Sequence, residues 1–502
     1  MGLQFLSARL TLPPAPTQGC LVESHSPKDV LFNTLTFAVF FVLVLALLPR
    51  RNVERANIFL LIASAIFYAA WDWRFLPLLA FSAVFNFACG NQISDQEGIH
   101  RRSWLAFNVL VNLMILVFFK YYLFLTESFQ ALLAFCGLHV ALPKLSITLP
   151  LAISFYTFHC LSYTIDIYRR ELKPAATLRD FSLYLLLFPH QIAGPIVRAS
   201  KLLPQISSQR KVTAQDWQCG LFLIFWGLFK KMAVADNLGP KADRLFNLTQ
   251  ASSTEIFLGV LAFAFQIYAD FSGYTDIARG TARLLGFNFD LNFRSPYLAT
   301  DPQDFWRRWH ISLSHWLRDY VYVSLGGNRN GSLRTYRNLL LTMVIGGLWH
   351  GAAWNFVLWG AYHGLILCFH RFYQGHIQSK SPSLQRLHHS WLGNAIAVAI
   401  MFVFTLYGWL LFRAVSIEQV VAFTKSLIDD DILMVRGLLP GLAAQAVYFL
   451  PLLLIEGWMH HRGLTELVFE SATANGLLYF ILIALSIILG AYGTDQFIYF
   501  NF

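Results

Sequence analysis

Long apolar stretches separated by short basic ones dominate this chain, and they leave few folds open to it. A hydrocarbon core about 30 Å thick takes roughly 20 mostly apolar residues to cross as a helix. Stretches near or above that length run over 31–48, 57–71, 74–90, 104–124, 146–165, 218–236, 255–270, 338–371, 391–413, 439–456 and 476–492. The run 338–371 is long enough to divide into two elements. Residues 181–197, FSLYLLLFPHQIAGPIV, are interrupted by Pro189, Gly194 and Pro195, which predicts a re-entrant or interfacial element buried in protein. Composition agrees: 56% of residues are hydrophobic and 13% charged, against roughly 25% charged in a soluble domain. The expected fold class is an all-α polytopic membrane protein, with one transmembrane domain over 30–502 after a poorly ordered extension over 1–29.

Charge gives the orientation. Arg50, Arg51 and Arg55 follow the first apolar run, and Arg101 and Arg102 follow the third. By the positive-inside rule these loops are cytoplasmic and the N-terminus is outside. The arginine-rich segment 294–337 is cytoplasmic by the same rule, so much of the net +10 charge reports topology. No nucleic-acid signature accompanies it, and no nucleic-acid partner is expected. The first 29 residues lack a basic start followed by an apolar stretch, unlike a cleaved signal peptide. Six cysteines are scattered without metal-ligand spacing and read as buried hydrophobes.

Walker, Rossmann, HExxH and GxSxG patterns are absent, so chemistry must come from polar residues in apolar surroundings. QIYADFSGYTDIARG, Gln266 to Gly280, carries Gln266, Asp270 and Ser272 at the end of an apolar helix. Lipid cannot satisfy such a face, so it must line a watered tunnel, form a hydrogen-bonded seam between helices or end at the membrane interface. DPQDFWRRWHISLSHWLRDYVY, Asp301 to Tyr322, is rich in tryptophan and arginine. Its composition suits an element at headgroup level in which Trp306, Trp309, Arg307 and Arg308 meet a phosphorylated donor such as a coenzyme A thioester. It suits a lipid-headgroup anchor equally. His310 and His315 stand about 140° apart around a helix, so a metal pair is not expected.

The third cluster is GGLWHGAAWNF, Gly346 to Phe356. Counted from Asn338 at the cytoplasmic edge, His350 lies about 18 Å along a continuous helix, close to half depth. Gly346, Gly347 and Gly351 permit close backbone approach or a broken helix that opens a tunnel to the imidazole, with Trp349 and Asn355 beside it. A neutral imidazole accepts a proton near pH 7, so a histidine here is a natural general base; a packed histidine satisfied by one neighbour is the plain alternative.

These segments together resemble the membrane-bound O-acyltransferase family. The branch concerned contains alginate O-acetyltransferase, peptidoglycan O-acetyltransferase and the D-alanyl transfer protein of teichoic acids. The resemblance runs from Leu31 to Phe502 through SFYTFHCLSYTIDIYR, FPHQIAGPIVR, QIYADFSGYTDIARG, FWRRWHISLSHWLRDYVY, GGLWHGAAWNF and FIYFNF. It implies a ring of helices around a thin centre, with His350 and His310 as its characteristic polar pair and acetyl-coenzyme A as donor. It further implies a bacterial inner-membrane location with a periplasmic N-terminus, contact with membrane lipids, an extracytoplasmic SGNH-type acetyltransferase partner and an exported polysaccharide acceptor. The tail also resembles a companion protein's aromatic motif, which would make Tyr499 a transient acyl carrier. The rival readings are a transporter or channel, which predicts inverted repeats that the WHG and DFSGYTD stretches do not show, and a scaffold for an export complex without acyl transfer.

Overall fold

An apolar helix entering lipid must first satisfy its leading backbone N–H groups, and side-chain caps do so at several starts. Thr34 accepts from the Phe37 N–H at the head of α1 (Leu35–Leu47), and Asn52 from the Arg55 N–H at the head of α2 (Val53–Asp72). A short turn leads into α3 (Leu76–Asp95), and α4 (Gly98–Phe135) follows, interrupted by a π turn over Val117–Tyr121. The chain continues through α5 (Ile153–Tyr168), α6 (Leu178–Leu186) and α7 (Ala199–Ser207). Reciprocal capping boxes, Thr213 with Asp216 and Ser252 with Glu255, begin α8 (Ala214–Phe246) and α9 (Ser253–Leu284). Two short helices, α10 (Pro302–Arg308) and α11 (Ile311–Trp316), precede a π turn over Leu317–Tyr322. The remaining helices among the described residues are α12 (Ser332–His350), α13 (Trp354–His376), α14 (Trp391–Arg413), α15 (Ile417–Asp429), α16 (Leu438–His461) and α17 (Ala472–Leu489). This computed structural model describes residues 31–192, 194–382, 390–429 and 437–491. The extension over 1–29 and the tail with Tyr499 lie outside the described residues.

Among the described residues, 7 helical stretches are long and apolar enough to cross a membrane: Val53–Asp95, α4, α8, α9, α14, α16 and α17. The expected runs at 31–48 and 146–165 become helices of only 13 and 16 residues. The run 338–371 divides into α12 and α13 as expected, but neither is apolar enough to join that set. Several of their polar residues, including Asn338, His350 and His363, face protein instead of lipid. The broken stretch 181–197 is likewise no span: after α6 it forms one turn at Phe188–Gln191, and residues 194–198 run unwound through buried surroundings.

α9 is the central post. In its most apolar window 83% of residues are buried, against 11% in α4 and α16. It lies against α8 at backbone distance, because a Cβ on Gly273 would sit 2.8 Å from the Gly227 carbonyl and one on Gly280 would sit 2.6 Å from that of Gly220. Only glycines allow this approach. The polar face of α9 then pairs along the same seam. Lys231 Nζ is 2.8 Å from both Asp236 and Asp270, Lys230 pairs with Asp276, and Arg279 links Asp276 to Glu466. The seam alternative for QIYADFSGYTDIARG is therefore the one the packing realises around Asp270. Of the described cysteines, Cys89, Cys160 and Cys219 are buried, whereas Cys136 is exposed.

Candidate active site

His350 is the last residue of α12. The helix runs unbroken from Ser332 through Asn338 to this point, and the chain then turns through Gly351, Ala352 and Ala353 into α13. The two helices form an antiparallel hairpin held at backbone distance, since a Cβ on Gly347 would come within 3.1 Å of the Gly360 backbone. The imidazole is 3% exposed and ringed by Trp349, Trp359 and Phe412 at centroid distances of 5.0, 5.1 and 5.4 Å. Below it, the end of α12 is held by α4. Tyr121 Oη donates to the Leu348 carbonyl at 2.6 Å, and Lys120 Nζ donates to those of Trp349 and His350 at 2.6 and 3.0 Å.

His310 sits in the joint between α10 and α11 and is fully buried, with φ 41° and ψ 55°. A left-handed non-glycine residue costs on the order of 1 kcal/mol or more and persists only where its surroundings impose it. Here they do. Asn292 Oδ1 accepts from the Ser312 N–H at 3.1 Å and the Ser312 hydroxyl at 2.9 Å, and lies 3.2 Å from His310 Nδ1. Because a backbone N–H can only donate, the shared atom of Asn292 is its oxygen, and His310 Nδ1 must carry a hydrogen. The neutral ring therefore presents Nε2 as an acceptor. Among the described residues that buried nitrogen has no hydrogen-bond partner.

Trp349 joins the two histidines, its ring 5.8 Å from His310 and 5.0 Å from His350. The line of rings continues from His350 to Trp359, to His363 at 4.8 Å and to Trp306 at 5.2 Å. Arg307 follows on the exposed side. Arg308 Nε bonds Asp304 at 2.8 Å, while its buried Nη1 has no partner among the described residues. On the same segment Asp319 pairs with Arg198 and Arg318, and Tyr320 donates to Asp166 at 2.7 Å with Arg169 and Arg198 over its ring. Partial burial works against ionisation of Asp319, but those two arginines outweigh it and hold the carboxyl below its usual range.

The sequence-predicted residues thus separate. His350, His310 and Trp349 come together, with Trp306, Arg307 and Arg308 toward the outer end of the line of rings. Trp309 does not join them as a donor contact: it is 1% exposed and packed against Phe293 and Trp409 at 5.0 and 4.8 Å. The headgroup-anchor reading of this segment fails for the same reason, since Trp309 and Trp316 are buried in protein. Asp270 is committed to Lys231, and Gln266 faces Gly239 of α8 with its Oε1 buried. Ser272 is buried one residue beyond Phe271, whose ring meets His310 at 4.7 Å. The Asn355 amide ties α13 to the Phe412 and Ala414 carbonyls at 3.0 and 3.1 Å. The sequence reading did not single out His363, Lys120 or Tyr121. A lysine inside the apolar run VFFKYYLF was the available signal.

Residues 176–412 match the membrane-bound O-acyltransferase family, MBOAT. The chain is 40% identical over 393 residues to a probable alginate O-acetylase of Azotobacter vinelandii, covering 78% of this chain and 76% of that protein. It is 35% identical over 435 residues to a peptidoglycan O-acetyltransferase of Helicobacter pylori, covering 80% of each. To a teichoic acid D-alanyltransferase of Streptococcus thermophilus it is 30% identical over 235 residues, 43% of this chain and 55% of that protein. With its apolar helices and this similarity, the chain belongs to the membrane-bound O-acyltransferase family and is a multi-pass membrane acyltransferase.

Proposed function

We propose that residues 30–502 act as one transmembrane unit that moves an acetyl group from cytoplasmic acetyl-coenzyme A across the inner membrane, for O-acetylation of an exported polysaccharide. The observation that carries this reading is that His350 and His310 both lie against the Trp349 ring at a buried helix end. The names of the relatives, an alginate O-acetylase and a peptidoglycan O-acetyltransferase, support an acetyl group and a glycan acceptor such as alginate, cellulose or peptidoglycan. Arg307 and the unpartnered Nη1 of Arg308 suit the phosphates of the donor, with Trp306 beside them. By the positive-inside rule this face is cytoplasmic and the N-terminus periplasmic.

Acetyl-coenzyme A, when bound, supplies an activated thioester. His350 takes the proton from the attacking hydroxyl as its oxygen bonds to the acyl carbon, and returns it to the departing sulfur. His310, with its hydrogen on Nδ1, accepts a hydrogen bond at Nε2 and so orients a hydroxyl; stabilising an oxyanion would require it to be protonated. The hydroxyl belongs to Tyr499, giving a relay, or to an acceptor reaching in from outside. A separate extracytoplasmic SGNH-type acetyltransferase then completes transfer to the polysaccharide.

Proteoliposomes test the sidedness. Acetyl-labelled coenzyme A is supplied on the Arg307 face, with the partner enzyme and a glycan on the other. Labelled ester on the glycan, with free thiol remaining on the donor side, is the expected result. Intact labelled coenzyme A crossing the membrane would instead identify a transporter.

A further inference from the structure

What holds the backbone beneath His350 is a separate matter from what its ring does. A helix leaves its last four carbonyls without intrahelical partners, and in α12 these belong to Gly347, Leu348, Trp349 and His350. Three of them accept from two consecutive side chains of another helix, Lys120 and Tyr121, at 2.6 to 3.0 Å. Consecutive residues of a regular α-helix point about 100° apart and do not share a target. Both residues lie in the π turn Val117–Tyr121, where the widened helix brings neighbouring side chains to one end of α12.

The choice of lysine is informative. An ammonium group in an apolar helix is costly, and a lysine there commonly extends toward the interface or pairs with an acid. Lys120 does neither: its Nζ rests on two carbonyls, and among the described residues no carboxylate pairs with it. Its compensation is the partial negative charge of a helix C-terminus. A neutral amide suffices to satisfy two carbonyls elsewhere in this protein, as Asn355 does for Phe412 and Ala414. Lys120 brings several donors on a single nitrogen to two carbonyls at 2.6 and 3.0 Å, and those bonds act on the residue that carries the imidazole.

We propose that Lys120 and Tyr121 are positioning residues that fix the end of α12, so that His350 meets the attacking hydroxyl at reacting distance. This rests on His350 being the proton acceptor. Misplacing a catalytic group by about 1 Å can cost on the order of 100-fold in rate. Lys120→Met is therefore expected to lower kcat for thiol release from acetyl-coenzyme A by about 10- to 100-fold. The donor KM should stay within roughly threefold, because the donor-facing arginines are untouched. Lys120→Arg, which keeps several donors on a long side chain, is expected to retain most activity, and Tyr121→Phe to lose only severalfold.

A mutant cycle separates this role from general structural support. If Lys120 acts through His350, adding Lys120→Met to His350→Ala slows the residual rate no further. An equal further loss in that background would overturn the proposal, as would a fully active Lys120→Met beside an inactive His350→Ala. Wild-type rate in His350→Ala would instead remove the reading on which the proposal rests. Should Lys120→Met not fold, Tyr121→Phe decides: a lowered kcat at constant KM supports the clamp, and an unchanged kcat contradicts it.

Discussion

Two π-helical segments of this protein carry buried or half-buried lysines, and the lysines have opposite partners. In α8, the stretch Phe229–Ala235 presents Lys230 and Lys231 to Asp276, Asp236 and Asp270, so the charges neutralise one another inside the seam with α9. In α4, the turn Val117–Tyr121 presents Lys120 to backbone carbonyls at the end of α12. The first arrangement is self-contained and holds two helices together. The second commits a lysine amine to the placement of a single helix end, and that end carries His350. A buried lysine is thus interpretable by what receives its hydrogens: carboxylates indicate assembly, and the carbonyls beneath a reactive side chain indicate positioning.

The comparison breaks most sharply at Lys231. Its replacement by methionine removes the ammonium that the buried Asp236 and Asp270 share, and breaking such a buried pair costs about 3–5 kcal/mol. The expected result is a lower melting temperature in detergent and poor recovery of folded protein. Replacing all three members with apolar residues should restore much of that stability. His350→Ala is expected to do the reverse, losing roughly 100- to 10,000-fold in rate while melting near wild type. Lys120→Met falls between them, with a smaller loss of rate and a retained fold. If Lys120→Met instead behaves like Lys231→Met, both lysines are assembly residues and the distinction is lost.

Finer tests address the seam and the arginine-rich rim around Asp319. Gly273→Ala would press a methyl group to 2.8 Å from the Gly227 carbonyl. The forced separation of α8 and α9 should cost about 1–3 kcal/mol, visible as a lower melting temperature and no specific change in donor KM. At the rim, Asp319 is held below its usual range by Arg318 and Arg198 against the effect of partial burial. A lowered folded value means its stabilisation is complete above an unfolded value of about 3.9 and is lost as pH falls through the folded one. Arg198→Met should shrink that acid-dependent loss, measured as the change in melting temperature between neutral pH and about pH 3.

Much of the longitudinal organisation was legible in the sequence, because hydropathy and helix rise are properties of a single segment. The division of 338–371, the unspanning stretch 181–197 and the unbroken helix leading to His350 all follow from residue type and spacing. Lateral pairing was not legible. Lys120 and the His350 carbonyl are separated by 230 positions, and nothing local says that one will cap the other. Asp270 and Gln266 illustrate the same limit, since a polar helix face has the same composition whether it lines water or meets another helix. The packing of Trp309 against Phe293 and Trp409 was not legible either, because tryptophan beside arginine describes a membrane interface and a buried aromatic cluster equally well. The tautomer of His310 depends on His310 and Ser312 sharing the Asn292 Oδ1, which is a matter of three-dimensional geometry alone.

The most direct test of His350 as the proton acceptor is free-thiol release from acetyl-coenzyme A by purified protein in detergent, with wild type and His350→Ala compared at matched folded concentration. The wild type should release thiol, and His350→Ala should fall at least about 100-fold below it with an unchanged melting temperature. Equal rates in the two proteins would contradict the assignment and move the proton transfer elsewhere.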